Sequence, residues 1–344
     1  MKKLLIIILI LVFGCSQSNK VKNAILFANV SNFKSSQIIE NQLINYSYLI
    51  ESYKNYLVLL NFRNESVIQI IDRFTGITLF KGINFGDGPQ EILVPISIYI
   101  DKKTGEVSIQ DGGTNTIKSF NFEELENSNF ESIIMHTEKL PTTGDRIYPT
   151  YPLKNLLIGV TLDKEMEIIT FKNSEIYDTL FMYSQPTQFN HLPQKFYGIQ
   201  LEGKFGISED KKYLLKGNLY QQIITIYNLE TRTFKEFKNE DEFEYTDEFI
   251  ETTGRFKWDP NRSFQYASVK EKNGKFYLLY SGVNIKSDEI VLLGKEIHVF
   301  DLKSETFERI ILDSPISDFT ISDDNIIYGI NFTSNTPVIS FFPN

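Results

Sequence analysis

One pattern occurs six times along this chain, and that repetition limits its fold more than any other feature. The copies read NYLVLLNFRNESVIQIID from Asn55, GEVSIQDGGTNTIKSFN from Gly105 and NLLIGVTLDKEMEIITF from Asn155. They continue as KYLLKGNLYQQIITIYN from Lys212, KFYLLYSGVNIKSDEIVLLGKEIHVFD from Lys275 and NIIYGINFTSNTPVISF from Asn325. Each is a short run of β-branched and aromatic residues, a polar turn and a second such run, which reads as two strands of one sheet. The spacing is roughly 50 to 60 residues, the scale of a four-stranded blade. A pair of β-sandwiches would give no reason for six similar units. The expected fold class is therefore all-β, a six-bladed β-propeller.

The sixth copy ends after only three strands, so its outermost strand has to come from elsewhere. The N-terminal segment 37–44 is expected to supply it, closing the ring and removing a free sheet edge. A second signature marks the outer hairpins: IIDRFTGITLF, IYNLETRTFKEF and VFDLKSETFERI. Asp72, Asn228 and Asp301 are placed to fold back onto following backbone amides, with Thr75, Thr231 and Ser304 in the same turns. That is turn chemistry rather than a site.

The stretch INFGDGPQEILVP, at 83–95, raises the question of a ligand cradle. Its two glycines lack the lysine of a phosphate-binding loop, and the acid between them would repel an anionic phosphate. The expected role is the seam from blade 1 to blade 2, with unusual φ at Gly86 and Gly88 and with Glu91 accepting from loose backbone amides. Asp87 and Glu91 are kept as candidate ligand contacts on the rim. The surrounding residues carry a family likeness. Gly86-Asp87-Gly88-Pro89-Gln90-Glu91 is followed by Asp101, Gly105, Asp111, Asn115, Ile117 and Phe120. This resembles the Gly-x-Gly-Pro-Gly-Glu stretch and the following Asp…Asn-x-Ile…Phe strand of TolB-like or NHL-like six-bladed propellers, particularly the lipoproteins of Bacteroides and relatives. Gln90 stands where that pattern commonly has glycine, so a positive φ is not expected there. The resemblance implies a fold and no assigned chemistry.

At the N-terminus, Lys2 and Lys3 precede an apolar run at 4–13, about ten residues, which is the length of a signal-peptide core. A spanning helix needs roughly twenty. The run ends at Val12-Phe13-Gly14-Cys15, and Cys15 is the chain's one cysteine. This resembles a bacterial lipobox, with Phe13 where a small residue is usual; an ordinary secretory signal is the alternative. The expected organisation is a lipoprotein signal peptide at 1–15 with Cys15 lipidated, a linker at 16–33 and the propeller at 34–344. Ser16 after the cysteine, by resemblance to lipoprotein sorting rules, favours the outer membrane. The absence of acids at 16–20 departs from the acidic surface-export tag of Bacteroidetes lipoproteins and favours a periplasm-facing position.

The chain carries 35 basic and 44 acidic side chains. An acidic surface repels phosphate backbones, so nucleic acid is not an expected partner. With Cys15 taken by the anchor there is no disulfide, and the core alone must hold the fold. Aromatics make up 14% of the residues and supply the large buried areas this requires.

Candidate chemistry is sparse. His136, His191 and His298 are widely separated and none is ligand-spaced, so no metal ligands are assigned. Asp101, Asp145, Asp210 and Asp318 lie near strand ends and are candidates to face a central channel. No nucleophile elbow occurs, and no catalytic residues are assigned. The excursion at 240–264 turns from acidic to a segment holding Arg255 and Trp258, a pair suited to stacking and bidentate contacts with a sugar or peptide. The functional expectation is a lipid-anchored envelope propeller that acts as a non-catalytic ligand- or protein-binding module, without a cofactor. Its partners would be the membrane and an envelope protein, peptide or glycan. The alternative is a hydrolase or lyase that uses a divalent cation in the channel.

Overall fold

A computed structural model describes residues 23–37, 47–62, 66–142, 147–162, 166–183, 202–239, 248–250, 255–257, 259–285, 292–331 and 338–343. The repeats fold as six antiparallel sheets arranged as the blades of a propeller. Blade 1 runs Ser47–Tyr53, Tyr56–Asn61, Ile68–Asp72 and Thr78–Gly82 from the axis outward. The inner strands of blades 2 to 6 are Pro95–Ile100, Ile147–Leu153, Gly203–Ile207, Tyr266–Lys272 and Asp318–Ile321.

Second and third strands lie between two neighbouring blades, so both of their faces are covered. Their sequences are accordingly near-continuous apolar runs rather than alternating ones. In Tyr56–Asn61 every residue after the first is buried. The core falls into six clusters among the described residues, one at each blade interface. Val58, Ile68, Val107 and Phe120 join blades 1 and 2, and Leu57, Ile71, Tyr328 and Ile339 join blades 6 and 1. Equivalent clusters fill the remaining four interfaces.

Asp72, Asn228 and Asp301 do fold back as expected. Asp72 Oδ1 accepts from the amides of Phe74 at 3.0 Å and Thr75 at 2.8 Å, and Asn228 and Asp301 repeat the arrangement. The Thr75 hydroxyl joins its Asx acceptor, whereas Thr231 and Ser304 instead meet the hydroxyls of Thr233 and Thr306.

The N-terminal segment does more than close the ring. Ser36–Gln37 pairs with Val338–Phe342 as the fourth strand of blade 6; of the expected segment 37–44, residues 38–44 lie outside the described residues. Upstream, Phe27–Phe33 runs parallel to Thr306–Ile316 as a fifth strand of blade 5. Asn23–Ala24 does the same beside Thr233–Lys238 of blade 4. The segment is a belt around the rims of three successive blades. Among the described residues, strands paired with the blades reach back to Asn23. The belt was hard to recognise because Phe27–Phe33 buries almost nothing and carries no hydrophobic alternation.

Candidate functional site: the central cavity and its ion network

The six inner strands enclose a cavity of about 160 Å³ on the axis. Every blade contributes to its wall, among other residues through Glu51, Tyr99, Tyr151, Lys204, Lys270 and Asp318 in blade order. Side chains stitch these strands together. The Tyr48 hydroxyl donates to the Pro95 carbonyl at 2.6 Å, and Tyr151 donates to Phe205 at 2.7 Å. Ser52 Oγ donates to the Ile321 carbonyl at 2.9 Å, tying blade 1 to blade 6.

A buried ion network joins blades 5, 6 and 1. Lys270 Nζ lies 2.7 Å from Glu51 Oε1 and 3.6 Å from Asp318 Oδ2. Asp318, 2% exposed, also accepts from the Ile50 amide at 2.9 Å and from Ser268 Oγ at 2.5 Å. Burial alone would depress the Lys270 ammonium, but Asp318 and Glu51 hold its pKa well above the usual lysine range.

Lys102 differs from its neighbours. It sits in the turn after the inner strand of blade 2 and lines the cavity. Glu51 is engaged by Lys270, Asp323 by Lys272 and Asp101 by Lys211. Among the described residues, Lys102 is left without a counter-ion in contact. Burial pushes its ammonium down to about 8, against the opposing pull of Glu51 and Asp323. Lys204, on the inner strand of blade 4, likewise forms no ion pair among the described residues. The cavity wall thus presents two ammonium groups, Lys102 and Lys204, with no ion pair among the described residues, which suits a ligand that supplies negative charge or hydrogen-bond acceptors.

Asp101 and Asp318 both line this cavity. Asp101 is committed to Lys211 and to its own turn, where it accepts from the Lys103 amide at 3.0 Å. Asp210 lies outside the cavity wall, exposed and accepting from Ser208 Oγ at 2.7 Å. Asp145, His191, Trp258 and Cys15 lie outside the described residues. Arg255 begins the strand Arg255–Lys257, which pairs with Glu248–Ile250 in a two-stranded ribbon. His136 is exposed on the outer strand of blade 2. His298 is buried in blade 5, stacked on Tyr280 with ring centroids 5.1 Å apart and bonded through Nδ1 to the Tyr266 hydroxyl at 3.2 Å. Among the described residues, no group of three His, Cys, Asp or Glu is placed to hold a metal ion.

The glycine-rich seam is a cradle after all, and it holds the chain's own lysine. Lys118, on the third strand of blade 2, is 2% exposed and donates to the carbonyls of Gly88, at 2.8 Å, and Glu91. Asp111 Oδ2 stands 3.9 Å from the same ammonium. Asp111 in turn accepts from the Leu93 and Val94 amides at 3.0 and 2.9 Å and from Thr114 Oγ1 at 2.8 Å. Burial alone would raise its pKa, but these donors hold it below the usual carboxylate range. Glu91 folds inward to accept from the Gly88 amide at 3.1 Å, and Asp87 is exposed. Neither acid is among the residues lining the central cavity.

The glycines serve proximity rather than backbone conformation, since neither Gly86 nor Gly88 adopts positive φ. A Cβ on Gly86 would lie 2.0 Å from Glu91 Oε2. Gln90 also lacks positive φ, and its side-chain amide both donates to and accepts from the Met135 backbone, at 3.2 and 2.9 Å.

The described residues contain no helix long and apolar enough to cross a membrane. A search of the curated proteins finds no significant match. Among solved structures, a member of the DUF4221 family from Bacteroides vulgatus is similar, with a TM-score of 0.58 and 8% identity over 90% of this chain and 96% of that one. A protein from Bacteroides fragilis inferred to be exported is similar at a TM-score of 0.50 and 13% identity, over 91% and 99% of the two chains. At these identities the likeness is one of fold. The family described as TolB-like 6-blade propeller-like matches residues 80–324, most of the blade-forming sequence, and the chain belongs to that family.

Proposed function

We propose that this protein is a lipid-anchored envelope propeller that binds a small ligand or a protein segment in its central cavity and carries out no chemistry there. The observation that carries this reading is the cavity wall. Six strands converge on it, its acids Glu51, Asp101 and Asp318 are paired with lysines, and among the described residues the Lys102 amine has no counter-ion in contact. Anchoring rests on Cys15 at the end of the apolar run, and Ser16 favours an outer-membrane, periplasm-facing site. Two acyl chains and an amide-linked third would make the anchor stable, where one chain binds only marginally.

The test is an array of peptidoglycan fragments, envelope glycans and short peptides probed with the purified lipoprotein. Its hits are expected to weaken by about tenfold or more in Lys102→Met, the loss of one charge-assisted contact of roughly 1.5 kcal/mol or more. Ser97→Trp, which fills the cavity from blade 2, is expected to abolish them. Hits that survive both substitutions would move the binding site away from the axis and defeat the reading.

A further inference from the structure

The rims of the six blades are not equivalent. Blades 4, 5 and 6 are bordered by the N-terminal belt, whereas blades 1, 2 and 3 end in outer strands that pair with nothing further among the described residues. The outer strand of blade 3, Glu175–Tyr183, presents Ile176 at 46%, Tyr177 at 60% and Met182 at 58% exposure. Blade 4 continues this surface: Arg232, in its outer hairpin turn, pairs with Asp178 on the blade 3 strand. Beyond it, Leu26 is 70% exposed where the belt passes from blade 4 to blade 5.

The belt also shows where the chain arrives. Its first described residue, Asn23, lies beside Phe237 on the outer strand of blade 4. Eight Cα–Cα steps separate it from Cys15, a reach of at most about 28 Å. We infer that the rim formed by blades 3 and 4 rests on the surface of the phospholipid bilayer into which Cys15 is anchored, with Ile176, Tyr177, Met182 and Leu26 entering the headgroup layer. This inference rests on the lipid-anchor reading above.

Tether and surface chemistry agree on this side of the ring. Blade 1 also exposes apolar groups, with Phe74 at 63% and Ile77 at 53%, but it stands opposite blade 4 in a six-fold ring and lies farthest from the anchor. A phenol such as Tyr177 suits the interface because its ring is apolar and its hydroxyl stays hydrated. The outer backbone edge of the blade 3 strand, unpaired among the described residues, keeps its hydrogen bonds to water at headgroup depth, which the hydrocarbon core would not allow. In this orientation the propeller stands edge-on, and neither end of the axial cavity is pressed against the lipid.

The experiment uses the full lipoprotein reconstituted into vesicles of phosphatidylethanolamine and phosphatidylglycerol, with or without bromine on the acyl chains. Tyr177→Trp is the reporter, Met182→Trp is a second reporter, and Phe74→Trp on blade 1 is the control. Emission of the parental protein is subtracted to remove Trp258. Both blade 3 reporters are expected to lose a large part of their emission to the brominated lipid, and the blade 1 control none. If the protein floats with the vesicles while the blade 3 reporters stay unquenched, or all three quench alike, the rim inference is overturned and the anchor stands. Failure to float with the vesicles would remove the anchor reading, and the rim inference with it.

Discussion

Replacing Asp318 with alanine is expected to cost about 3–5 kcal/mol of stability, the range for removing one partner of a buried charged pair. The carboxylate serves three groups at once: the Ile50 amide, Ser268 Oγ and the Lys270 ammonium, on blades 1 and 5. The substitution leaves a buried amide and hydroxyl without their acceptor and Lys270 with Glu51 as its one close counter-ion. Asp318→Asn keeps an oxygen that can accept from the Ile50 amide and gives up the charge, so it should fall between wild type and alanine. Urea unfolding reads both variants, with the midpoint falling and the slope unchanged. A loss below about 1 kcal/mol for the alanine variant would mean that the network contributes no more than a surface pair.

Lys118→Met is the second large effect, expected at about 2–4 kcal/mol. Methionine retains the apolar stem, so the change isolates the ammonium. Its loss frees the carbonyls of Gly88 and Glu91 and leaves Asp111 without its cation. The consequence should be local as well as global. The seam is held mainly through Lys118 and Asp111, so amide exchange at Gly88, Leu93 and Val94 should accelerate ahead of the blade strands. Uniform acceleration throughout blades 1 and 2 would show that the seam is not a separately held unit.

The propeller was legible in the sequence because its signal is periodic: each repeat carries two buried strands at a regular interval, and six copies reinforce one another. The closing strand was legible as a deficit in the last copy. The belt at 23–33 was not, because it is held mainly by backbone pairing and buries only a few apolar side chains, Ile25 fully and Phe27 and Phe33 in part, with no strand-like alternation. The seam was read correctly as a connector, yet the reason for its glycines was missed. An unusual φ was expected at Gly86 and Gly88; neither takes a positive one, and the folded chain uses them to let the Glu91 side chain close in.

The cavity shows the same division. Asp101 and Asp318 were among four acids singled out near strand ends, but the lysines opposite them were not. Lys270 and Lys211 are distant in sequence from those acids and become their neighbours only when the ring closes. A usable signal was present in the register of the repeats. Lys54, Lys154 and Asn273 all take positive φ in the turn that ends an inner strand, so the residues just upstream of each such turn line the axis. Aligning the six copies on that turn, rather than on their apolar runs, would have named Glu51, Tyr151 and Lys270.

The central claim is that the axial cavity holds an amine kept free for a ligand, and the titration of Lys102 tests it most directly. Competitive acetylation of the native protein across a pH series, read by mass spectrometry at each lysine, should place Lys102 at about 8. The ordinary lysine value is near 10.4. A Lys102 midpoint in that ordinary range would show an amine that is solvated or paired, and would contradict the account of the cavity as a binding site.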